Sequence, residues 1–375
     1  MRILQCNWIR LSSVCVVAAL LAAGCGDDGS KTMSKEPEPR HDAGDASTRA
    51  DASTRFDAST SPSPMAARDG GLPSSDAGAP VGERPSGKTL RVDGRDILDT
   101  CGEPWQARGL EQLAGKQFSA DGTLTGLASE LAKTSSNAVR LLPQIAELSA
   151  RDLDGMLAAF AAQKIIVYLS PGERSWFKRK EIREVLLRHE GGLILDAFQE
   201  PTYDDVPRWV KEAKAAIADL RSAGYTAPLT VLGNQYGRDL RSLLDHGAEL
   251  VAADTLHNTI IGWQAYWGTS GWYQKDHGLS LSEGVQKCAE QSFPIQLGID
   301  LYADKGEQMD YAEVMDAAES EGLGWLWWNF WNQWDDLGNN ASKDGTAKNL
   351  TEVGEKVIHS DPNSIEKTAK KACFR

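Results

Sequence analysis

From Leu90 to the C-terminus, short apolar runs alternate with amphipathic stretches in a regular beat, and few folds can absorb that pattern. Strands are predicted at 105–110, 137–142, 165–169, 193–198, 229–232, 259–266, 294–299 and 323–328. Helical spacing fills the intervals at about 124–134, 150–163, 176–189, 206–223, 237–247, 282–291 and 310–321, with an eighth helix near 347–358. Alternation of this kind makes parallel strands with helical crossovers, and eight repeats in under 300 residues suit a closed (β/α)₈ TIM barrel. An open doubly wound sheet is the competing architecture. It is disfavoured because no G-x-G-x-x-G loop follows an early strand. Before the first strand, Leu90–Asp99 alternates about an Asp93-Gly94 pair and reads as an N-terminal β-hairpin.

The remainder of the chain does not belong to that fold. Residues 1–25 carry Arg2 and Arg10, a short apolar run at Val14–Ala23, and then Gly24-Cys25. Such a run is too short to span a bilayer, and it reads as a secretory signal. Small residues before the cysteine resemble a bacterial lipoprotein cleavage box, which implies that Cys25 is the lipidated new N-terminus. Gly26 follows where inner-membrane retention would call for Asp, so the expected address is the outer membrane of the cell envelope. Within residues 26–86, Asp-Ala-Ser-Thr recurs at 45, 51 and 57 with a period of six and Phe56 as the one large apolar group of the repeat, and Ser-Pro and Gly-Pro stretches follow, so the segment reads as a tether without a core. The domain proper is 87–375.

A net charge of −13 argues against nucleic acid or anionic lipid as partner. The domain holds three cysteines, Cys101, Cys288 and Cys373. In an oxidising envelope one disulfide and one buried thiol are expected, and Cys101 with Cys373 would tie the two ends together. The six histidines are scattered, without H-x-H or H-E-x-x-H, and neither a G-x-S-x-G elbow nor a P-loop occurs. Metal, nucleophilic-serine and nucleotide chemistry are therefore not expected, no cofactor is called for, and the chain is expected to act as a monomer.

Two features remain. Glu200 ends the apolar run Leu193–Phe198 and precedes Pro201, which places a carboxyl at the barrel mouth, where barrel enzymes keep their chemistry. The chain also has twelve tryptophans, and many fall where the later strands should end. Trp263, Tyr266, Trp267, Trp272 and Tyr273 follow the sixth strand, and Trp325, Trp327, Trp328, Phe330, Trp331 and Trp334 surround the eighth. Rings beside Asn329, Asn332 and Gln333 suit the apolar faces of sugars, although core packing is the first reading for Trp325 and Trp327.

These motifs resemble glycoside hydrolase family 5, the retaining barrel enzymes that include cellulases and β-mannanases, over nearly the whole domain. Trp105–Leu110 is similar to the family's first strand, Asn137–Leu141 to its second, Gln199-Glu200-Pro201 to its Asn-Glu-Pro signature, and Gly324–Asn329 to its eighth strand. The resemblance implies hydrolysis of O-glycosidic bonds in a β-linked polysaccharide, a β-1,4-glucan or mannan. It makes Glu200 the acid/base and Arg140 the support of a nucleophile. It gives substrate contacts to Gln199, Gln264, Tyr266 and Trp267, and makes Trp328 the sugar platform. Departures accompany it. Gln199 replaces an asparagine, Gln264 replaces the sixth-strand histidine, and the third-strand histidine has no counterpart near Leu169-Ser170-Pro171. Ile299 stands where the family keeps its nucleophile.

Hydrolysis requires two carboxyl groups about the scissile bond. Alternation sets Gln296, Gly298 and Asp300 on one face, so Asp300 is the expected replacement, with a β-bulge absorbing the extra residue. Glu111 and Asp196 also point inward and are read as structural hydrogen-bonding partners. Three readings stay open: an active hydrolase using Glu200 and Asp300, an inactive barrel that binds β-glycans, and an assembly lipoprotein whose rings serve a protein partner.

Overall fold

The computed structural model describes residues 87–265, 278–300, 309–334 and 338–374. Cys25, Tyr266, Trp267, Trp272 and Tyr273 lie outside the described residues, as do the signal and the tether.

Eight strands close into a parallel barrel: β4 (Arg108–Gln112), β5 (Ala138–Leu141), β6 (Ile166–Leu169), β7 (Leu193–Phe198), β8 (Leu229–Leu232), β9 (Thr259–Gln264), β10 (Ile295–Ile299) and β11 (Gly324–Trp327). Each neighbours the next in sequence, and β11 pairs with β4 to complete the ring. Before them, β1 (Arg91–Asp93), β2 (Asp96–Leu98) and β3 (Pro104–Trp105) make an antiparallel sheet, the expected hairpin plus a third short strand.

Period-two alternation sorts the barrel residues into two cores. Outward side chains such as Leu110, Val139, Leu195, Trp263, Ile299, Trp325 and Trp327 join the helices in one continuous apolar layer. Inward ones are fewer. Ala138, Ile166, Tyr168, Ile194, Ile260 and Leu326 form a second cluster, closed off by Leu90, Ile97 and Trp105 from the N-terminal sheet and Ala372 from the C-terminal tail. A disulfide between Cys101 and Cys373 fastens that sheet to the tail, while Cys288 is a free, buried thiol. With one end of the barrel plugged by hydrocarbon, polar inward residues collect at the other.

Helix starts follow from capping chemistry. Ser149, Asp205 and Asp239 each accept a backbone N–H from the first turn of the helix that follows, and Ser280 with Glu283 makes a reciprocal capping box. The stretch expected as one helix over 176–189 is two, Arg174–Phe177 and Lys180–His189. The helix expected from 237 begins at Leu240, because Gln235, Tyr236 and Gly237 all take positive φ (52°, 61° and 84°). Near the C-terminus, the expected 347–358 helix is reduced to Glu352–Glu355 and a π turn, Lys356–Ser360. No helix among the described residues is long and apolar enough to cross a membrane.

Candidate active site

The mouth of the barrel is built around one arginine. Arg140 of β5 is almost fully buried. Its Nη2 donates to Asp196 Oδ2 (2.7 Å), its Nε donates to Ser170 Oγ (2.9 Å), and its Nη1 lies 3.4 Å from both carboxylate oxygens of Glu111. Ser170 Oγ in turn donates to Asp196 Oδ2. Deeper in the barrel, Tyr168 donates its hydroxyl to Gln296 Oε1 (3.2 Å). β4, β5, β7 and the residue after β6 thus bring Glu111, Arg140, Asp196 and Ser170 into one connected polar cluster. Ser170 stands beside Arg140 and Asp196.

Burial opposes the charge on Arg140, but Glu111, Asp196 and Glu200 outweigh it and hold the guanidinium above its usual range. The acids feel the same crowding in the other direction. Burial pushes Glu111 up to about 7; Arg140 pulls against that, and the charges of Glu200 and Asp196 add to the rise. Glu200 is therefore within electrostatic reach of both Arg140 and Glu111. An arginine sealed in with the carboxylates of Glu111 and Asp196 cannot be removed without stranding buried charge.

Glu200 itself sits at the rim. The ladder between β7 and β8 slips between Asp196 and Phe198, a bulge that re-aims the residues after it. Two residues later Glu200 adopts φ 41°, a left-handed conformation uncommon outside glycine. It is half-buried and borders a cleft of about 330 Å³ lined also by Arg174, Asp196, Phe198, Gln199 and Tyr203. The loop carrying it is anchored from β8. Asn234 accepts the Tyr203 N–H and donates to the Tyr203 carbonyl, both at 2.9 Å, and Tyr236 N–H donates to the Pro201 carbonyl (3.0 Å). In the cleft wall Phe198 and Tyr203 stack at 5.9 Å, with the Arg208 guanidinium 5.0 Å from the Tyr203 ring. Two oxygens of residues bordering the cleft, Gln199 Oε1 and Asp196 Oδ1, are buried without a hydrogen-bond partner.

The seventh barrel strand departs from the sequence expectation. β10 keeps unbroken register with β9 through Gly298 and with β11 through Ile299, so the anticipated bulge is absent from it. Ile299 is fully buried in the outer apolar layer. On the inner face, a Cβ added to Gly298 would lie 1.9 Å from Gln264 Oε1 and 3.6 Å from Glu111 Oε1, so polar groups of β9 and β4 occupy that wall. Gly237 makes room for the same glutamine, since a Cβ there would stand 2.5 Å from its Cγ. Asp300 follows directly after β10, in phase with Gln296 and Gly298, and is buried.

Of the aromatic residues, Trp263, Trp325 and Trp327 are core. Trp328 is half-buried after β11 and packs with Trp331 on Leu113, Phe118 and Leu142; Trp334 is exposed, edge-on to Phe118 at 5.3 Å. The neighbouring Asn329 is buried, with neither amide atom hydrogen-bonded. Sequence reading missed Ser170, Asn234 and Tyr203. Alternation along β6 flags Ser170, but nothing local marks the other two. Among the described residues no group of His, Cys, Asp and Glu is arranged to hold a metal ion.

No family model matches the chain. A mannan endo-1,4-beta-mannosidase of Salipaludibacillus agaradhaerens is 23% identical over 298 residues, covering 74% of this chain and 93% of that protein. Among solved structures, the beta-mannanase of Streptomyces thermolilacinus with mannohexaose superposes with a TM-score of 0.65 at 18% identity, covering 76% of this chain and 97% of that one. The catalytic domain of a mannanase from Streptomyces sp. SirexAA-E gives 0.65 at 21% identity, covering 80% and 98%. The chain is a (β/α)₈ barrel with the fold of these β-mannanases.

Proposed function

We propose that this barrel hydrolyses O-glycosidic bonds in a β-linked polysaccharide, β-1,4-mannan before β-1,4-glucan, with Glu200 as general acid. The observation that carries the reading is the setting of Glu200. It is a strained, rim-placed carboxyl opening on a cleft, coupled through charge to the buried Glu111–Arg140–Asp196 cluster. Relatives named as mannan-cleaving enzymes put mannan first. Glu200 would protonate the leaving oxygen, and Gln199 and Trp328 would orient the sugar. Gln264, Tyr266 and Trp267 would supply further sugar contacts, as the family resemblance implies. A second carboxylate completes the reaction, and the alternation of β10 nominates Asp300. Lipidation of Cys25 would hold this monomeric barrel at the outer membrane on the 26–86 tether. Ile299, turned into the outer apolar layer, favours the second reading, a barrel that binds β-glycans without cleaving them.

Reducing-end release from β-1,4-mannan and β-1,4-glucan by the purified protein decides between the two. Glu200→Gln is expected to lower turnover by about 10²–10⁴-fold, the usual worth of a general acid. Oligosaccharide binding with no release by the wild-type protein would establish the second reading instead.

A further inference from the structure

We infer that the second carboxylate of this site is Glu111 on β4, acting as general base, rather than a residue of β10; the inference rests on the hydrolase reading above. Three observations converge on it. The strand that would supply the carboxylate turns Ile299 into hydrocarbon, and its inward residues are Gln296, already bonded to Tyr168, and Gly298, with Asp300 following beyond the strand. The wall left bare at Gly298 is filled from β9 by the Gln264 amide and from β4, two strands away, by Glu111 Oε1, 3.6 Å from where a side chain on Gly298 would begin. The arginine that the family resemblance makes the nucleophile's support, Arg140, has its Nη1 against both oxygens of Glu111. Glu111 thus occupies, from the opposite edge of the β10–β11–β4 arc, the ground that β10 has vacated.

Depth assigns the roles. Glu200 stands half-buried at the rim and Glu111 is buried within the barrel, so the assignment puts the acid beside a sugar held across the mouth and the base below it. The Glu111 carboxylate takes a proton from a water molecule as that water's oxygen bonds to the anomeric carbon. The bond from that carbon to the leaving sugar breaks with its electron pair on oxygen, and the oxygen takes the proton of Glu200. One water is consumed. Glu111 ends protonated and Glu200 ionised, and exchange with solvent resets the pair. A carboxyl raised towards neutrality by burial suits a base.

The test uses Glu111→Ala and Glu111→Gln in the full chain, with thermal melting to show that each is folded. Both are expected to lose about 10²–10⁴-fold in turnover. Sodium azide should restore cleavage by Glu111→Ala in proportion to its concentration and give a glycosyl azide, because the small anion enters the space of the lost carboxylate. Azide should do nothing for Glu111→Gln. The first product of the wild-type protein should have inverted anomeric configuration by proton NMR. Folded Glu111→Gln with near wild-type turnover, azide rescue of Asp300→Ala in place of Glu111→Ala, or a retained first product would each overturn the assignment while leaving the hydrolase reading intact. A wild-type protein that cleaves neither polysaccharide would overturn both.

Discussion

Along β7 the ladder slips between Asp196 and Phe198, and the chain then leaves the sheet through a left-handed Glu200; along β10 it runs without a break into Ile299. The first end is costly and held. Its bulge, its positive φ and its buried partners persist because Asn234 and Tyr236 fasten the following loop to the end of β8. The second end is relaxed, with isoleucine in the outer core and glycine facing in. On the reading proposed above, the strained strand end carries the general acid and the relaxed one carries no catalytic group. Position in a family pattern does not by itself make a site. The side chain must also face the cavity, and at β10 the pattern position faces away.

The comparison breaks most sharply at residue 299. If β10 had only lost its carboxylate, Ile299→Glu would restore it. Ile299 is fully buried among apolar neighbours, so the variant instead forces an unpaired carboxylate into the helix–barrel layer. A loss of about 4 kcal/mol or more is expected, as for other buried unpaired charges, with no gain in turnover. Chemical denaturation checks the first part and mannan hydrolysis the second. A stable, more active Ile299→Glu would mean that the end of β10 can turn inward.

The β7 side is sharpened by Asn234→Ala. That change removes both hydrogen bonds to the Tyr203 backbone and leaves buried groups unsatisfied, at about 2–3 kcal/mol. Because the same loop carries Glu200, turnover should fall further than stability alone accounts for. Unchanged turnover in the folded variant would show that the loop needs no anchor.

How far the sequence reaches differs between these regions in the same way. All eight barrel strands are legible from alternation, to within a residue or two at most ends, because burial on both faces leaves an unmistakable apolar run. Glu200 is legible because it closes such a run before a proline. The left-handed turn at Gln235–Gly237 is not, since two of its three residues are non-glycine and carry no signature of positive φ. It displaces the start of the following helix and supplies the anchor, Asn234, from a strand other than the one it steadies. Glu111 is visible as an inward acid on the first barrel strand. Its meeting with Arg140 and the bare wall at Gly298 exist only once the barrel closes, since they join the first, second and seventh of its strands.

The smallest effect is a pH dependence that isolates Glu111. Its folded-state value stands near 7 against an ordinary value of 4.5, so between those values the folded protein binds a proton that the unfolded chain has released. The stability associated with that proton is fully present below about pH 4.5 and is lost as pH rises through about 7. A shift of this size sets a ceiling of roughly 3 kcal/mol. Because Arg140 loses a counter-charge in the variant, about 1–2 kcal/mol is the expected readable part. Wild type should therefore lose stability relative to Glu111→Gln between pH 5 and pH 8, a neutral amide having no such proton to give up. Urea midpoints at the two pH values measure the difference. A Glu111→Gln variant that tracks wild type across the range would place Glu111 among ordinary, ionised carboxylates, and would leave β10 the less altered of the two strand ends.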